Sequence, residues 1–206
     1  MIPEKIKDFF GRENSRNASE RSELAHSSPN FHRKAIFIDR DGVLVEDPGY
    51  VHKIEDFKLV TNAIEGLKLL KNYKLFVITN QSGIGRGIYM LKDFLKFNNH
   101  LINKLKKHKI KIQKTYFCPH KPEDNCECRK PKIKFLKDAE KEFNINLKKS
   151  FVIGDRKSDF EMSKNAGCKT IHVLSGYGIN AKNEVNPDYF AEDLLDAAKW
   201  ILENDQ

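Results

Sequence analysis

From residue 34 onward, short runs of consecutive apolar residues alternate with longer stretches in which apolar residues recur every third or fourth position. Ala35–Ile38, Leu75–Ile78, Lys114–Phe117, Ser150–Ile153 and Lys169–Val173 are of the first kind, and they read as buried strands. Asn62–Lys71, with Ile64, Leu67 and Leu70 in register, and Leu91–Lys107, with Phe94, Phe97, Leu101 and Leu105 on one face, are of the second. So are Ile133–Phe143, Phe160–Ala166 and Ala191–Leu202, and all five read as helices. Strands and helices in alternation predict an α/β fold, a doubly wound parallel sheet with helices on both faces, and no internal repeat interrupts it. In such a sheet, ligands sit beyond the carboxyl ends of the strands. The chemistry is therefore to be sought in the residues that follow each strand.

Residues 1–33 break this pattern. Beyond Phe9–Phe10 they hold almost no apolar run and are rich in Ser, Asn, Arg and Glu, so they cannot bury enough surface to offset the entropy of ordering. They read as a polar tail with at most a turn or two of helix near Ile2–Phe10, preceding one α/β domain over 34–206. Glu4, Asp8, Glu13, Glu20 and Glu23 argue against a transit peptide, and there is no apolar segment suited to secretion or to spanning a bilayer. The expectation is a cytoplasmic, monomeric protein without a membrane partner. The net charge of +8 suits an anionic partner. Lys104, Lys106, Lys107, Lys109 and Lys111 have no interleaved aromatics, so they read as a solvated surface and not as a nucleic-acid groove.

The first strand runs into Asp39-Arg40-Asp41-Gly42, the second into Thr79-Asn80-Gln81-Ser82 and the fourth into Gly154-Asp155-Arg156, with Asp159 four residues beyond Asp155. Arg129-Lys130 lies between the third and fourth strands. Carboxylates, a hydroxyl and a lysine thus converge on one edge of the sheet, which suits phosphoryl transfer. Asp39 and Asp155, with the main-chain carbonyl of Asp41, can hold Mg²⁺, a hard ion that prefers a few oxygens plus substrate phosphate. Asp39 can attack phosphorus as a carboxylate nucleophile. Asp41 is placed to protonate the leaving oxygen and later to deprotonate the hydrolytic water. Lys130 and the Thr79 hydroxyl can bind the equatorial oxygens, and Asp159 can orient a metal-bound water. Asp-x-Asp-Gly alone could be a turn, Thr79-Asn80 alone a helix cap, Gly154-Asp155 alone a turn; their joint occurrence at successive strand ends carries the reading.

Cys118, His120, Cys126 and Cys128 give three thiols and an imidazole within eleven residues, a full tetrahedral set for a structural Zn²⁺. A disulfide is disfavoured in a reducing compartment, and a Cys126–Cys128 bridge would be strained. Cys168 stands apart and reads as a core thiol.

These motifs resemble the haloacid dehalogenase superfamily of phosphatases: Asp39-x-Asp41, Thr79, Lys130, and Asp155 with Asp159 stand at its four motif positions. Within it, Gly49-Tyr50-Val51-His52-x-Ile54-x-Asp56-Phe57, the run from Thr79 to Gly87 and the segment from Cys118 to Pro131 are similar to the D,D-heptose 1,7-bisphosphate phosphatases. The resemblance implies a haloacid dehalogenase-like domain without a large cap, with a small zinc loop. It also implies hydrolysis of the 7-phosphate of a phosphorylated sugar in the making of nucleotide-activated heptose for lipopolysaccharide core or glycosylation. It further implies sugar contacts by Asp47, Pro48, Gly49, Tyr50, Arg129 and Arg156, with Asn80, Gln81 and Ser82 facing substrate. Arg86, in Gly85-Arg86-Gly87, offers a guanidinium fork to a second phosphate. Three alternatives stand beside it: histidinol-phosphate phosphatases, which share the zinc loop; polynucleotide 3′-phosphatases, which share Thr-Asn-Gln; and a binding module with a dead site. The sequence departs from the pattern at Val43, where Thr is usual.

Overall fold

The structure, a computed structural model, describes residues 33–205. The tail expected over 1–33 and its helical turn near Ile2–Phe10 lie outside them, apart from Arg33, whose backbone bonds Asn144 and Asn146.

The strands are β1 (Ala35–Ile38), β2 (Lys74–Asn80), β3 (Ile112–Cys118), β4 (Phe151–Gly154), β5 (Lys169–Val173) and β6 (Tyr189–Ala191). They form one sheet in the order β3-β2-β1-β4-β5-β6, and every neighbouring pair is parallel. The helices are α1 (Ala63–Leu69), α2 (Ser82–Gly85), α3 (Leu91–Lys107), α4 (Lys134–Phe143), α5 (Lys157–Ala166), α6 (Gly178–Ala181) and α7 (Leu194–Asn204). Successive residues of a strand face opposite sides, so the wholly buried β1 feeds two cores. Ile36 and Ile38 pack with Leu67 of α1, Leu101 of α3 and Ile201 of α7. Ala35 and Phe37 pack with Leu136 of α4 and Met162 of α5. The chain builds β1 to β3 outward on one side and then returns to place β4 beside β1. The ends of β1 and β4 therefore flank the point where strand order reverses, which is where such sheets open a crevice.

Strands β2 and β3 run up to two residues beyond their expected bounds, and two helix starts move further. The last helix begins at Leu194, capped by the Asp193 carboxylate on the Asp196 N–H, and Ala191 belongs to an edge strand, β6. The fifth helix starts at Lys157, so Asp159 lies in its first turn. At the last helix the apolar spacing runs on from β6, and only the Asp193 cap marks the start; at α5 the first turn, Lys157-Ser158-Asp159, is polar, so the apolar spacing begins a turn late.

Helices α1 and α7 cross at Gly66, where a Cβ would stand 2.6 Å from the Leu194 carbonyl oxygen and 2.9 Å from the Leu195 nitrogen. Both obstacles are backbone and cannot rotate away. The Gly66→Ala variant is therefore expected to lose about 1–3 kcal/mol by overpacking, more than the roughly 1 kcal/mol that alanine gains in a helix. An unchanged or raised urea midpoint for this variant would contradict the close approach.

Candidate active site

The ends of β1, β2 and β4 and the segment before α4 open into a cleft of about 460 Å³. Asp39 leaves β1 buried, with Oδ1 accepting the Arg40 N–H at 2.7 Å and facing the Lys130 ammonium at 2.9 Å. No hydrogen bond reaches its Oδ2 among the described residues. Lys130 is equally buried, and its Nζ also meets Asp159 Oδ1 at 2.6 Å and the Ile78 carbonyl at 3.1 Å. Asn80, at the end of β2, clamps the backbone of Lys130, accepting its N–H at 3.1 Å and donating to its carbonyl at 3.3 Å. Asp159 is oriented from the other side, because its Oδ2 accepts the Arg156 N–H at 3.2 Å as part of the cap of α5. Asp159 thus serves the lysine and the helix end directly.

Asp155 is wholly buried at the end of β4. Its Oδ2 accepts the Tyr177 N–H at 2.8 Å. Its Oδ1 has no hydrogen bond, only the Arg156 guanidinium at 4.0 Å. A Cβ on Gly42 would stand 2.1 Å from Asp155 Oδ2 and one on Gly176 2.3 Å from it, and both residues have positive φ, so only glycine fits. Asp41 faces the cleft half-buried: Arg40 grips its Oδ1, while Gln81 and Thr79 donate to its Oδ2 at 2.8 and 3.1 Å.

The charge balance is uneven. Asp39, Asp155 and Asp159 face one ammonium, which leaves an excess of negative charge among buried groups. Burial, and to a lesser degree the neighbouring carboxylates, push Asp39 well above its ordinary value despite the attraction of Lys130. Burial and Asp159 push Asp155 up to about 7. Burial alone would lower Lys130, but Asp159 and Asp39 more than offset it and hold the ammonium above its usual range. The orphaned Asp155 oxygen, the excess charge and an all-oxygen donor set fit a divalent hard cation.

Arg129, Arg156, Asn80, Gln81, Ser82, Arg86, Asp47, Gly49 and Tyr50, all expected at the site, line this cleft with Asp39, Asp41, Thr79 and Lys130. Arg156 reaches across to Asp47 at 3.0 Å, and Arg86 pairs with Glu123 of the cysteine loop at 3.4 Å. Pro48 does not line the cleft: it is exposed beside Phe57, where Asp47 Oδ1 accepts the Gly49 N–H and closes the loop into a turn. Sequence reasoning missed Arg40, Tyr89 and Tyr177. Tyr177 lies in a Gly-flanked loop after β5, with its ring 3.9 Å beneath the Arg156 guanidinium. Arg40 was legible only as the middle residue of Asp-Arg-Asp.

Cys118, His120, Cys126 and Cys128 come together as expected. Their ligand atoms stand 3.4–3.6 Å apart along the four closest edges, against about 3.5–3.8 Å for a tetrahedron of zinc-bound sulfur and nitrogen. The loop braces the site directly, since Arg129 donates to the His120 carbonyl at 3.3 Å. Cys168 is buried in the core.

A family profile described as HAD-hydrolase-like matches residues 127–197. The chain is 46% identical over 144 residues to the D-glycero-alpha-D-manno-heptose-1,7-bisphosphate 7-phosphatase of Campylobacter jejuni, covering 69% of this chain and 83% of that protein. It is 38% identical over 178 residues to the D-glycero-beta-D-manno-heptose-1,7-bisphosphate 7-phosphatase of Pasteurella multocida, covering 82% of this chain and 97% of that one. The crystal structure of D,D-heptose 1,7-bisphosphate phosphatase from B. bronchiseptica, complexed with magnesium and phosphate, superposes with a TM-score of 0.77. It is 24% identical and covers 82% of this chain and 98% of its own.

The raised carboxylates fix a pH dependence. A carboxyl group held above its unfolded value stabilises the fold below that value, and the contribution is lost as pH rises through the folded one. For Asp155 that window runs from about pH 4 to about 7, and Lys130 does not titrate within it. A divalent cation relieves the same penalty. The rise in Tm on adding Mg²⁺ is thus expected to grow between pH 5 and pH 8; a pH-independent rise would show that these carboxylates do not share a cation.

Proposed function

We propose, since the chain belongs to the D-glycero-manno-heptose-1,7-bisphosphate 7-phosphatases of the HAD-like hydrolases, that it releases the 7-phosphate of a heptose 1,7-bisphosphate through a phosphorylated Asp39. The observation that carries this reading is the position of Asp39. It stands at the switch point of the sheet, between Asp155 and Lys130, in a cleft that also holds the guanidinium groups of Arg86, Arg129 and Arg156 beside that of Arg40.

Asp39 and Asp155, with the Asp41 carbonyl, would hold Mg²⁺. When bound, the ion neutralises charge and lets a carboxylate approach a phosphate. Lys130 positions the nucleophile through Oδ1, which leaves Oδ2 to form the bond to phosphorus. Asp41 gives a proton to the departing sugar oxygen and takes one from the water that hydrolyses the aspartyl-phosphate. The Thr79 hydroxyl, 3.1 Å from Asp41, lies within reach of both the acid and the transferring group. Arg129, Arg156 and Arg86 exceed what one reacting phosphate requires. A second phosphate accounts for the surplus, and its binding energy can orient the first. Tyr50 on the rim suits a polyol. No large domain interrupts the described residues between β1 and β3, so specificity rests with these loops.

The cysteine cluster is proposed to hold one zinc whose task is structural. It fixes Arg129 through the His120 carbonyl and, one residue on, the backbone of Lys130.

Three outcomes are expected. Asp39→Asn abolishes turnover, and Asp41→Asn lowers kcat by about 10²–10⁴-fold. On a panel of heptose bisphosphate, histidinol phosphate and a 3′-phosphorylated oligonucleotide, kcat/KM is greatest for the first. A higher value for either competitor would overturn the substrate, and phosphate release by Asp39→Asn the mechanism. Elemental analysis is expected to find one zinc per chain, and its removal by a chelator to reduce activity while the far-ultraviolet circular dichroism of the sheet persists. Full activity in zinc-free protein would dismiss the structural role.

A further inference from the structure

Every polar atom of the Gln81 side chain is taken up by protein. Its Nε2 donates to Asp41 Oδ2 at 2.8 Å and to Thr79 Oγ1 at 2.7 Å. Its Oε1 accepts the Tyr89 hydroxyl at 2.6 Å and, more distantly, the Arg40 guanidinium at 3.4 Å. The side chain is buried at the floor of the cleft. Arg40 is more deeply placed still, at 1% exposure, with its guanidinium 4.9 Å from the Phe97 ring centroid and 5.5 Å from that of Phe94. Its Nε and Nη2 both reach Asp41 Oδ1, at 2.7 and 2.6 Å, and Nη2 also donates to the Val51 carbonyl at 3.1 Å.

A buried guanidinium is expensive, and an apolar side chain packed on two phenylalanines would stabilise the fold at least as well. The fold therefore gives no reason for Arg40, whereas the carboxylate it grips does. Four hydrogen bonds from three side chains leave Asp41 one orientation. The Val51 carbonyl ties the same guanidinium to the segment 47–52 that rims the cleft. That segment is fastened a second time where His52 stacks on Tyr89 at 4.5 Å.

We propose that Arg40 and Gln81 are positioning residues that fix the proton-transfer carboxylate of Asp41, and that Arg40 couples that carboxylate to the substrate-facing loop through Val51. The inference rests on the reading of Asp41 as acid and base. It takes Gln81 away from the substrate, where its motif had placed it.

The test uses the full chain with zinc and Mg²⁺. Arg40→Lys and Gln81→Leu are each made alone and with Asp41→Asn, and assayed on heptose 1,7-bisphosphate. Each single variant is expected to lose about tenfold or more in kcat with KM nearly constant, and to add almost nothing to the loss of Asp41→Asn. A second substrate isolates the step. With p-nitrophenyl phosphate the phosphoryl group passes to Asp39 and p-nitrophenolate departs without needing a proton. Water then gives a proton to Asp41 and its oxygen to phosphorus, the bond from phosphorus to the Asp39 carboxylate breaks, and inorganic phosphate and the free carboxylate are released. Both variants are expected to show a burst of nitrophenolate followed by a slowed steady state. A raised KM with unchanged kcat in Gln81→Leu would return that residue to the substrate and overturn the proposal. So would a loss in Arg40→Lys that persists in full beside Asp41→Asn. If Arg40→Lys does not fold, Gln81→Leu and Tyr89→Phe decide, the latter removing one hydroxyl from the same network. Asp41→Asn turning over like the parent would sink the acid–base reading itself, a distinct result.

Discussion

Lys130 is buried between two carboxylates, Asp39 and Asp159, and most of the site is arranged around keeping it there. An ammonium taken out of water needs compensation in geometry as well as charge. It finds both in Asp39, Asp159 and the Ile78 carbonyl. Each of those is supplied by a different part of the sheet: the end of β1, the first turn of α5, and β2. The lysine itself hangs from a loop that is neither strand nor helix. That explains why the loop is secured twice, by Asn80 along its backbone and by the cysteine cluster through Arg129 and His120.

A second electrostatic unit sits beside the first and is nearly closed to it. Arg40 and Asp41 compensate each other, as Arg156 and Asp47 do at the rim. The excess negative charge is thereby confined to Asp39, Asp155 and Asp159, where a divalent ion and a phosphate are proposed to meet. Separating the groups that handle charge from the group that handles protons lets each be set without disturbing the other.

Most of this was readable in the chain before the structure. Strands buried on both faces leave unbroken apolar runs, so β1, β2, β4 and β5 were evident, and their carboxyl ends led to Asp39, Thr79 and Asp155. The cysteine cluster was evident from ligand count alone. Edge strand β6 was not, because Tyr189 and Phe190 are only partly buried and their spacing merges with that of α7. Arg40 escaped notice because nothing in a sequence distinguishes a buried arginine from a surface one. Tyr177 did so because its contribution to Asp155 is a backbone N–H, which any residue but proline carries. Pro48 lies outside the cleft that its neighbours Asp47 and Gly49 line, because the turn between them sends it out.

The described residues carry no domain that could fold down over the cleft. An enzyme that must close before it reacts is limited by hinge motion and by the escape of product past a lid. Among the described residues neither gate exists, and in the proposed mechanism water reaches the aspartyl-phosphate as soon as the sugar leaves. The geometry must accordingly be complete before substrate arrives, which is why so many of its polar groups are locked by protein partners instead of waiting for the ligand. Such a site exchanges selectivity by enclosure for selectivity by standing contacts. Its turnover should then be insensitive to solvent viscosity until diffusion itself becomes limiting.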